Sequence, residues 1–332
     1  MSVLIAIDLG TSYTSIYKQG FGLVLREPTV AAVRKNADEK YFGQDAKKLI
    51  GKTTENLSIV FPVFEGMVVD VEAASGLIRH FLSKVVKKTF FRQPITLLMT
   101  VPCGLEAEER KIFEEAAFSA GVREVYLIES PIASAMGFDE HVDKDSPLFV
   151  ADIGGGDTEV AVVSLEGIIS GCSLNVGGNN VDTGIIDYIL HEYGLKVGLL
   201  SAEKIKVQIA SLYSNDNTSM MISGRSAETG SPESMLLSAK SINHILEYYY
   251  GKIIDAMEAA LNSLPPEISA DVSERGIYLC GGASSVLGLD KFIYKRLQIP
   301  VKISQEPSYT PILGAGKILG DRKLFEKFTG LK

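Results

Sequence analysis

An aspartate, a glycine and a threonine recur in register at two places in this chain of 332 residues. Ile5-Ala6-Ile7-Asp8-Leu9-Gly10-Thr11-Ser12-Tyr13-Thr14-Ser15-Ile16 returns as Phe149-Val150-Ala151-Asp152-Ile153-Gly154-Gly155-Gly156-Asp157-Thr158-Glu159-Val160. Asp8 falls on Asp152, Gly10 on Gly154 and Thr14 on Thr158, an offset of 144 residues (152 − 8). Each copy reads as a strand, a tight glycine turn and a second strand, with the Asp at the bend. A glycine turn lets backbone N–H groups approach an anion with no Cβ in the way. Thr11 and Ser12 add hydroxyl donors for phosphate oxygens. The carboxylates of Asp8 and Asp152 are hard oxygen ligands suited to Mg2+, directly or through its waters. Two such hairpins facing each other make a two-sided clamp for phosphates and a divalent cation. A single glycine hairpin reads first as a plain turn; the duplication carries the chemistry. A third glycine turn, Gly281-Gly282-Ala283-Ser284, follows a predicted strand and is a candidate wall for a nucleoside, or again a plain turn.

The elements that must position these residues alternate strand with helix. Residues 3–7, 14–17, 22–25 and 30–33 read as short strands of an antiparallel meander. Residues 73–86 carry apolar side chains at helical spacing (Leu77, Ile78, Phe81, Leu82, Val85), and 95–101 is a buried strand stopped by Pro102. Residues 106–120 form an amphipathic helix, acidic at its start, and 125–128 another strand. The polar stretch 143–147 is a plausible boundary. After the second hairpin come a strand at 168–174, helices at 182–193 and 202–212, and a polar stretch, 214–234, that reads as a peripheral subdomain. A long helix over 242–261 is stopped by Pro265-Pro266, and a strand, two helices and a short strand between them complete the chain. The repeat and the alternation together indicate an α/β protein of two related lobes.

Composition narrows the function classes. Hydrophobic residues make up 46% and charged residues 22%, as in an ordinary soluble globular protein. The net charge of −8 and the lack of a basic stripe argue against nucleic acid as a partner. Cys103, Cys172 and Cys280 are widely spaced, with no CxxC, which suits a reducing cytosolic compartment. The four scattered histidines suggest no metal cluster. The apolar start ends at Asp8, so no signal peptide is expected, and no stretch approaches the roughly 20 apolar residues of a spanning helix.

The motifs resemble those of the actin, sugar kinase and heat-shock 70 ATPase superfamily, and most closely its MreB-type bacterial actins. Asp8-Leu9-Gly10-Thr11 resembles the first phosphate motif, Asp152 to Gly156 the second, and Gly281 to Ser284 the adenosine motif. Phe21 to Pro28, Pro102-Cys103-Gly104, Glu108-Glu109-Arg110, Leu127 to Pro131 and Ala202 to Lys206 are similar to further MreB segments, in order and nearly end to end. The resemblance implies an actin-like ATPase fold: two related RNase H-like lobes around a nucleotide cleft, each with a smaller peripheral subdomain. Lobe I would span 1–144, with its subdomain at about 32–64 and a C-terminal helix at about 312–332 returning to it. Lobe II would span 145–311, with its subdomain at about 179–241. ATP and Mg2+ are the implied cofactors. Thr11, Ser12, Tyr13, Gly154, Gly155 and Gly156 would hold phosphates, with Asp8 and Asp152 serving the metal. Glu203, Lys204, Ile205 and Lys206 would lie on the ribose and adenine side, with Gly281, Gly282, Ala283 and Ser284 around the base. Glu129 aligns with the residue that positions and activates the attacking water; by itself it reads as an exposed strand-end Glu.

Three residues depart from the family pattern. Asp157 stands where Thr is usual, next to the terminal phosphate; Tyr13 stands where Asn is usual; and Ala283 replaces a glycine. Nucleotide binding is expected to survive, with Asp157 altering or slowing hydrolysis.

The resemblance also implies self-assembly into paired protofilaments, a peripheral cytoplasmic position on the inner face of the cytoplasmic membrane, and cell-shape and cell-wall synthesis membrane proteins as partners. The start of the chain runs straight into strand, with no amphipathic anchor helix expected. Phe90 and Phe91, among Lys87, Lys88, Arg92 and Thr89, form a candidate membrane loop, the alternative being that both rings pack as core. Rival functions are a plasmid-segregation or magnetosome-type actin, a small-molecule kinase with Asp157 as base, and a heat-shock 70-type chaperone, which would need a substrate domain after the ATPase.

Overall fold

Alternating apolar side chains along the strands divide between separate cores. In Val3–Leu9, Ile5, Ile7 and Leu9 enter one core and Ala6 another; in Ile95–Val101, Leu97, Met99 and Val101 oppose Leu98. Leu148–Ile153 and Thr158–Ser164 repeat the division, Phe149, Ala151, Ile153, Val160 and Val162 against Leu148, Val150, Ala161 and Val163. Sheets buried on both faces need cover on both. The computed structural model supplies it as helix, sheet, helix, sheet and helix layers, and it describes residues 2–34, 39–52, 55–86, 93–138, 140, 142 and 146–330.

Each lobe is built on a 5-stranded sheet. The first runs Glu124–Glu129, Ile95–Val101, Val3–Leu9, Tyr13–Lys18, Gly22–Pro28; the second runs Gly167–Leu174, Thr158–Ser164, Leu148–Ile153, Ile277–Cys280, Val301–Ile303. In both, an antiparallel three-strand meander continues into two parallel strands. The sequence offset persists in the pairing: Asp8 faces Ser15 and Leu9 faces Thr14, as Asp152 faces Glu159 and Ile153 faces Thr158. The repeated threonines are structural. Thr14 and Thr158 are both fully buried, one hydroxyl bonded to that of Thr29 (2.8 Å), the other donating to the Val176 carbonyl (2.6 Å).

The structure corrects several expected elements. The fourth strand leaves the meander: Pro28 ends the third strand, Thr29 donates its N–H to the Ser12 carbonyl, and Ala31–Arg34 pairs with Glu39–Phe42 and Leu57–Val60 in a separate sheet. That sheet has its own core of Val30, Ala32, Ala46 and Leu57. The polar stretch in lobe II holds a hairpin, Ser219–Ser226 with Pro232–Ser238, hidden in the sequence by its many serines. A helix, Pro266–Arg275, starts at the second proline, since a first-turn residue has no helical partner for its N–H. The last helix is two, Thr310–Gly320 and Arg322–Thr329. Asp321 breaks them by capping the second, accepting from the N–H groups of Lys323 and Leu324. Phe90 and Phe91 lie outside the described residues.

Between the sheets, helix Ser130–Gly137 crosses Thr310–Gly320 with backbones in contact. A Cβ on Gly314 would sit 1.7 Å from the Ala133 carbonyl oxygen, and one on Gly137 would sit 2.1 Å from that of Thr310. Neither obstacle is a flexible side chain, so overpacking here is expected to cost about 3 kcal/mol or more. Gly314→Ala should lower the urea midpoint with little change in slope; an unchanged midpoint would show that the helices separate freely.

Candidate functional site

The two glycine turns meet at the foot of a cleft between the lobes, with a cavity volume of about 350 Å³. Each turn closes with the same bond, Gly10 N–H to the Tyr13 carbonyl and Gly154 N–H to that of Asp157. Thr11 and Ser12 lie directly on Gly156 and Gly155: a Cβ on Gly155 would sit 2.0 Å from Ser12 Oγ, and one on Gly156 would sit 2.6 Å from the Thr11 methyl carbon. Only glycines allow the hairpins to approach this closely. Ser12 Oγ donates to Asn179 Oδ1 (3.1 Å), Thr11 Oγ1 lies 3.4 Å from Asp157 Oδ1, and Gly66 N–H donates to Thr11 Oγ1 (2.9 Å).

Strand pairing lines up two rows of side chains, Thr100–Asp8–Ser15–Arg26 in lobe I and Cys280–Asp152–Glu159–Ser173 in lobe II. Thr100 donates to Asp8 Oδ1 (2.8 Å) and Ser134 to Asp152 Oδ2 (2.9 Å), leaving each aspartate a second oxygen. Glu159 is buried, accepts from Cys103 N–H (2.9 Å), and its Oε1 has no partner. Removal from water is the main cause that raises the pKa of all four acids. Asp152 is pushed up to about 8, with Asp8 adding repulsion, and Asp157 to about 7, with Glu159 and then Asp8 adding repulsion. Asp8 rises less freely because the Thr100 hydroxyl and Arg26 favour its charged form. Among the described residues no three acids, histidines or cysteines converge as a metal cage. Asp8 and Asp152, both lining the cleft, suit an ion that keeps most of its waters and shares phosphate oxygens, as Mg2+ does.

The other wall comes from lobe II. Glu203 and Lys206, with Val207, line the cleft from one face of helix Leu199–Ile209. Lys204 points to solvent and Ile205 into the core, as a 3.6-residue period requires, so neither reaches the cleft. The Lys206 ammonium is held by Asp182 Oδ2 (2.7 Å) and the Gly178 carbonyl (2.8 Å). Lys47 Nζ crosses from the other lobe to Glu203 (2.7 Å) and donates to the Tyr13 hydroxyl (3.2 Å). Gly281, Gly282 and Ala283 line the cleft. Ser284 is buried, bonded to the Gly281 carbonyl (2.7 Å), and Tyr250 fixes the turn through the Ala283 carbonyl (2.6 Å).

Glu129 stands at the strand end and accepts from Gly104 N–H (3.0 Å); its neighbour Ser130 lines the cleft instead. Arg26, Gly66, Asn179 and Asp182 line the cleft as well, none of them part of the three glycine motifs. The available signals were glycines, Gly66 itself and Gly177-Gly178 before Asn179; the structure gives Glu65 and Gly66 positive φ.

Comparison with known proteins gives a consistent set of relatives. The family described as MreB/Mbl protein matches residues 2–327. The cell shape-determining protein MreB of Escherichia coli (strain K12) is 36% identical over 321 residues, covering 95% of this chain and 92% of that protein. The cell shape-determining protein Mbl of Bacillus subtilis (strain 168) is 33% identical over 317 residues, 95% of each. The crystal structure of MreB5 of Spiroplasma citri bound to ADP superposes with a TM-score of 0.91 at 30% identity, covering 100% of this chain and 99% of that one. Its AMPPNP-bound form gives the same score at 29% identity, covering 98% of each. The actin-like fold follows from these superpositions.

The raised acids carry a pH dependence. A carboxyl whose pKa is higher folded than unfolded binds its proton more tightly when folded. Its contribution is therefore complete below about pH 4 and is lost as pH rises through about 7 and 8. Without nucleotide or divalent cation, the melting temperature should fall between pH 5.5 and 8.5. Asp157→Asn should flatten the part of that fall near pH 7; equal slopes in the two proteins would show that Asp157 is not among the groups responsible.

Proposed function

The chain belongs to the MreB/Mbl family, and we propose that it is an ATP-dependent, filament-forming cytoskeletal protein acting in bacterial cell-shape determination. The observation that carries this reading is the pair of hairpins in identical register, meeting at one cleft with Asp8 and Asp152 at its foot. On this reading Thr11, Ser12 and Tyr13 face phosphates from lobe I, and Gly154, Gly155 and Gly156 from lobe II. Glu203 serves the ribose side, and Gly281, Gly282 and Ala283 the base. Mg2+, held by Asp8 and Asp152, neutralises phosphate charge when bound. The lobes divide near residue 144, and the three-stranded sheets form their peripheral subdomains. Exposed apolar residues, Phe64 on the small hairpin Val63–Phe64 with Met67–Val68 in lobe I and the cross-strand pair Met221 and Leu236 on the peripheral sheet of lobe II, favour self-association. Among the described residues no helix is long and apolar enough to cross a membrane. Attachment to the membrane's inner face would fall to Phe90 and Phe91.

Binding and turnover part company at Asp157. The cleft has Ser130 rather than a carboxylate beside Pro131, and Glu129 is engaged by Gly104. Asp157, with a pKa near neutrality, is the acid left to accept a proton from an attacking water, but its charge next to the terminal phosphate opposes the anion. Hydrolysis is slow on this account.

Electron microscopy of the purified chain with ATP and Mg2+ should reveal filaments; their absence across a concentration series would overturn the assembly reading. Asp157→Thr should change the rate of phosphate release, and an unaltered rate would remove Asp157 from the account. Replacing both Phe90 and Phe91 with Ser should reduce pelleting with anionic liposomes, and equal pelleting would exclude that loop.

A further inference from the structure

We propose that Arg26 is a phosphate-binding residue of this cleft, supplying positive charge from the side of Asp8 away from Thr100. The inference rests on the nucleotide reading above and names a contact that the glycine motifs do not contain.

The cleft is strongly acidic: Asp8, Asp152, Asp157, Glu159, Asp182 and Glu203 all line it. Two cationic side chains line it as well, Arg26 and Lys206. Lys206 is already engaged, its ammonium shared between Asp182 and the Gly178 carbonyl. Arg26 is not engaged. Among the described residues its guanidinium makes no hydrogen bond or ion pair, and its Nε is shut off from solvent with no partner. A guanidinium keeps its charge at every accessible pH, so an unpaired, shielded N–H cannot be relieved by losing a proton. Leaving such a donor unsatisfied is costly, which favours a ligand acceptor.

The group is also held in place. Its central carbon lies 3.9 Å from the Tyr13 ring centroid and 5.4 Å from that of Tyr309. Tyr13 comes from the first hairpin and Tyr309 from the segment leading into helix Thr310–Gly320. The two rings hold the guanidinium in place beside the cleft that Arg26 lines. Strand pairing then sets the place: Arg26 faces Ser15, which faces Asp8, so all three point to the same side of the sheet. Ser15 is small and buried, which leaves room for the guanidinium beside the aspartate. A role as counter-ion to Asp8 alone is a poor fit, because no ion pair joins them and Thr100 already occupies one carboxylate oxygen. A planar fork of N–H donors next to two phosphate-facing turns suits the oxygens of a nucleoside di- or triphosphate. It also explains why Tyr13 suits this chain: an aromatic ring at that position can carry the arginine.

The test separates phosphate from nucleoside. Wild type, Arg26→Gln and Arg26→Lys are titrated with ADP, ATP and adenosine in Mg2+ by calorimetry, and each is melted without nucleotide. Arg26→Gln should bind ADP and ATP roughly ten- to hundredfold more weakly while its adenosine affinity stays level. Arg26→Lys, which keeps the charge without the fork, should fall between them and serves if the glutamine variant does not fold. Unchanged ADP affinity in a folded variant overturns the proposal, as does an equal loss for adenosine, which would mark a purely structural role. Wild type that binds neither ADP nor ATP overturns the nucleotide reading itself, and this inference with it.

Discussion

Crowding of carboxylates at the foot of one cleft is the constraint to which the rest of the structure answers. Asp8, Asp152, Asp157 and Glu159 come from two sheets, and full or partial burial is the main cause that raises the pKa of each. Like charges in such surroundings drive protons on to the acids or draw cations in. The fold allows each acid only a little relief: Thr100 for Asp8, Ser134 for Asp152, Thr11 for Asp157 and the Cys103 amide for Glu159. None of these donors is charged, and the one cation in the row, Arg26, stands on the Asp8 side only, against four acids. The site thus favours a ligand that brings its own cation, which an Mg2+–nucleotide complex does.

The duplicated architecture makes the differences between the lobes informative. Where lobe I has Thr100, Ser15 and Arg26 around its aspartate, lobe II has Cys280, Glu159 and Ser173. One half carries hydroxyls and a cation, the other a thiol and a second acid. A two-fold repeat has become a polarised pair, and a bound phosphate chain would meet unlike surfaces on its two sides. An ion pair joins the lobes across the cleft, Lys47 reaching Glu203 from the opposite lobe.

How much of this was legible in the sequence depended on how local the signal was. The hairpins were legible because strand, turn and strand are contiguous: the Gly10–Tyr13 turn bond and the Asp8–Ser15 and Leu9–Thr14 pairs all fall within one short segment. The buried strands were legible through apolar alternation. Arg26, Asn179 and Asp182 were not, because each reaches the cleft through pairing or packing with distant segments. The segment 203–206 is contiguous in sequence, but helical geometry turns Lys204 and Ile205 away from the cleft. At Glu129 the difficulty was a single position: the alternation at a strand end gives the amide of Gly104 to the glutamate and the cleft to Ser130. The serine-rich hairpin of lobe II escaped because polar strands on a small exposed sheet lack the apolar period.

The glycine crossing between helices Ser130–Gly137 and Thr310–Gly320 lies under the cleft and between the two sheets. Helices whose backbones touch have no side-chain cushion to slide on, and each is locked along its axis by the other's carbonyls. Sliding of one helix along the other is therefore opposed, and rotation about the crossing is the easier motion. Such a joint behaves like the rivet of a pair of shears: a few degrees at the crossing become ångströms at the outer sheets. A small change at the cleft would then be felt at the far edges of the molecule.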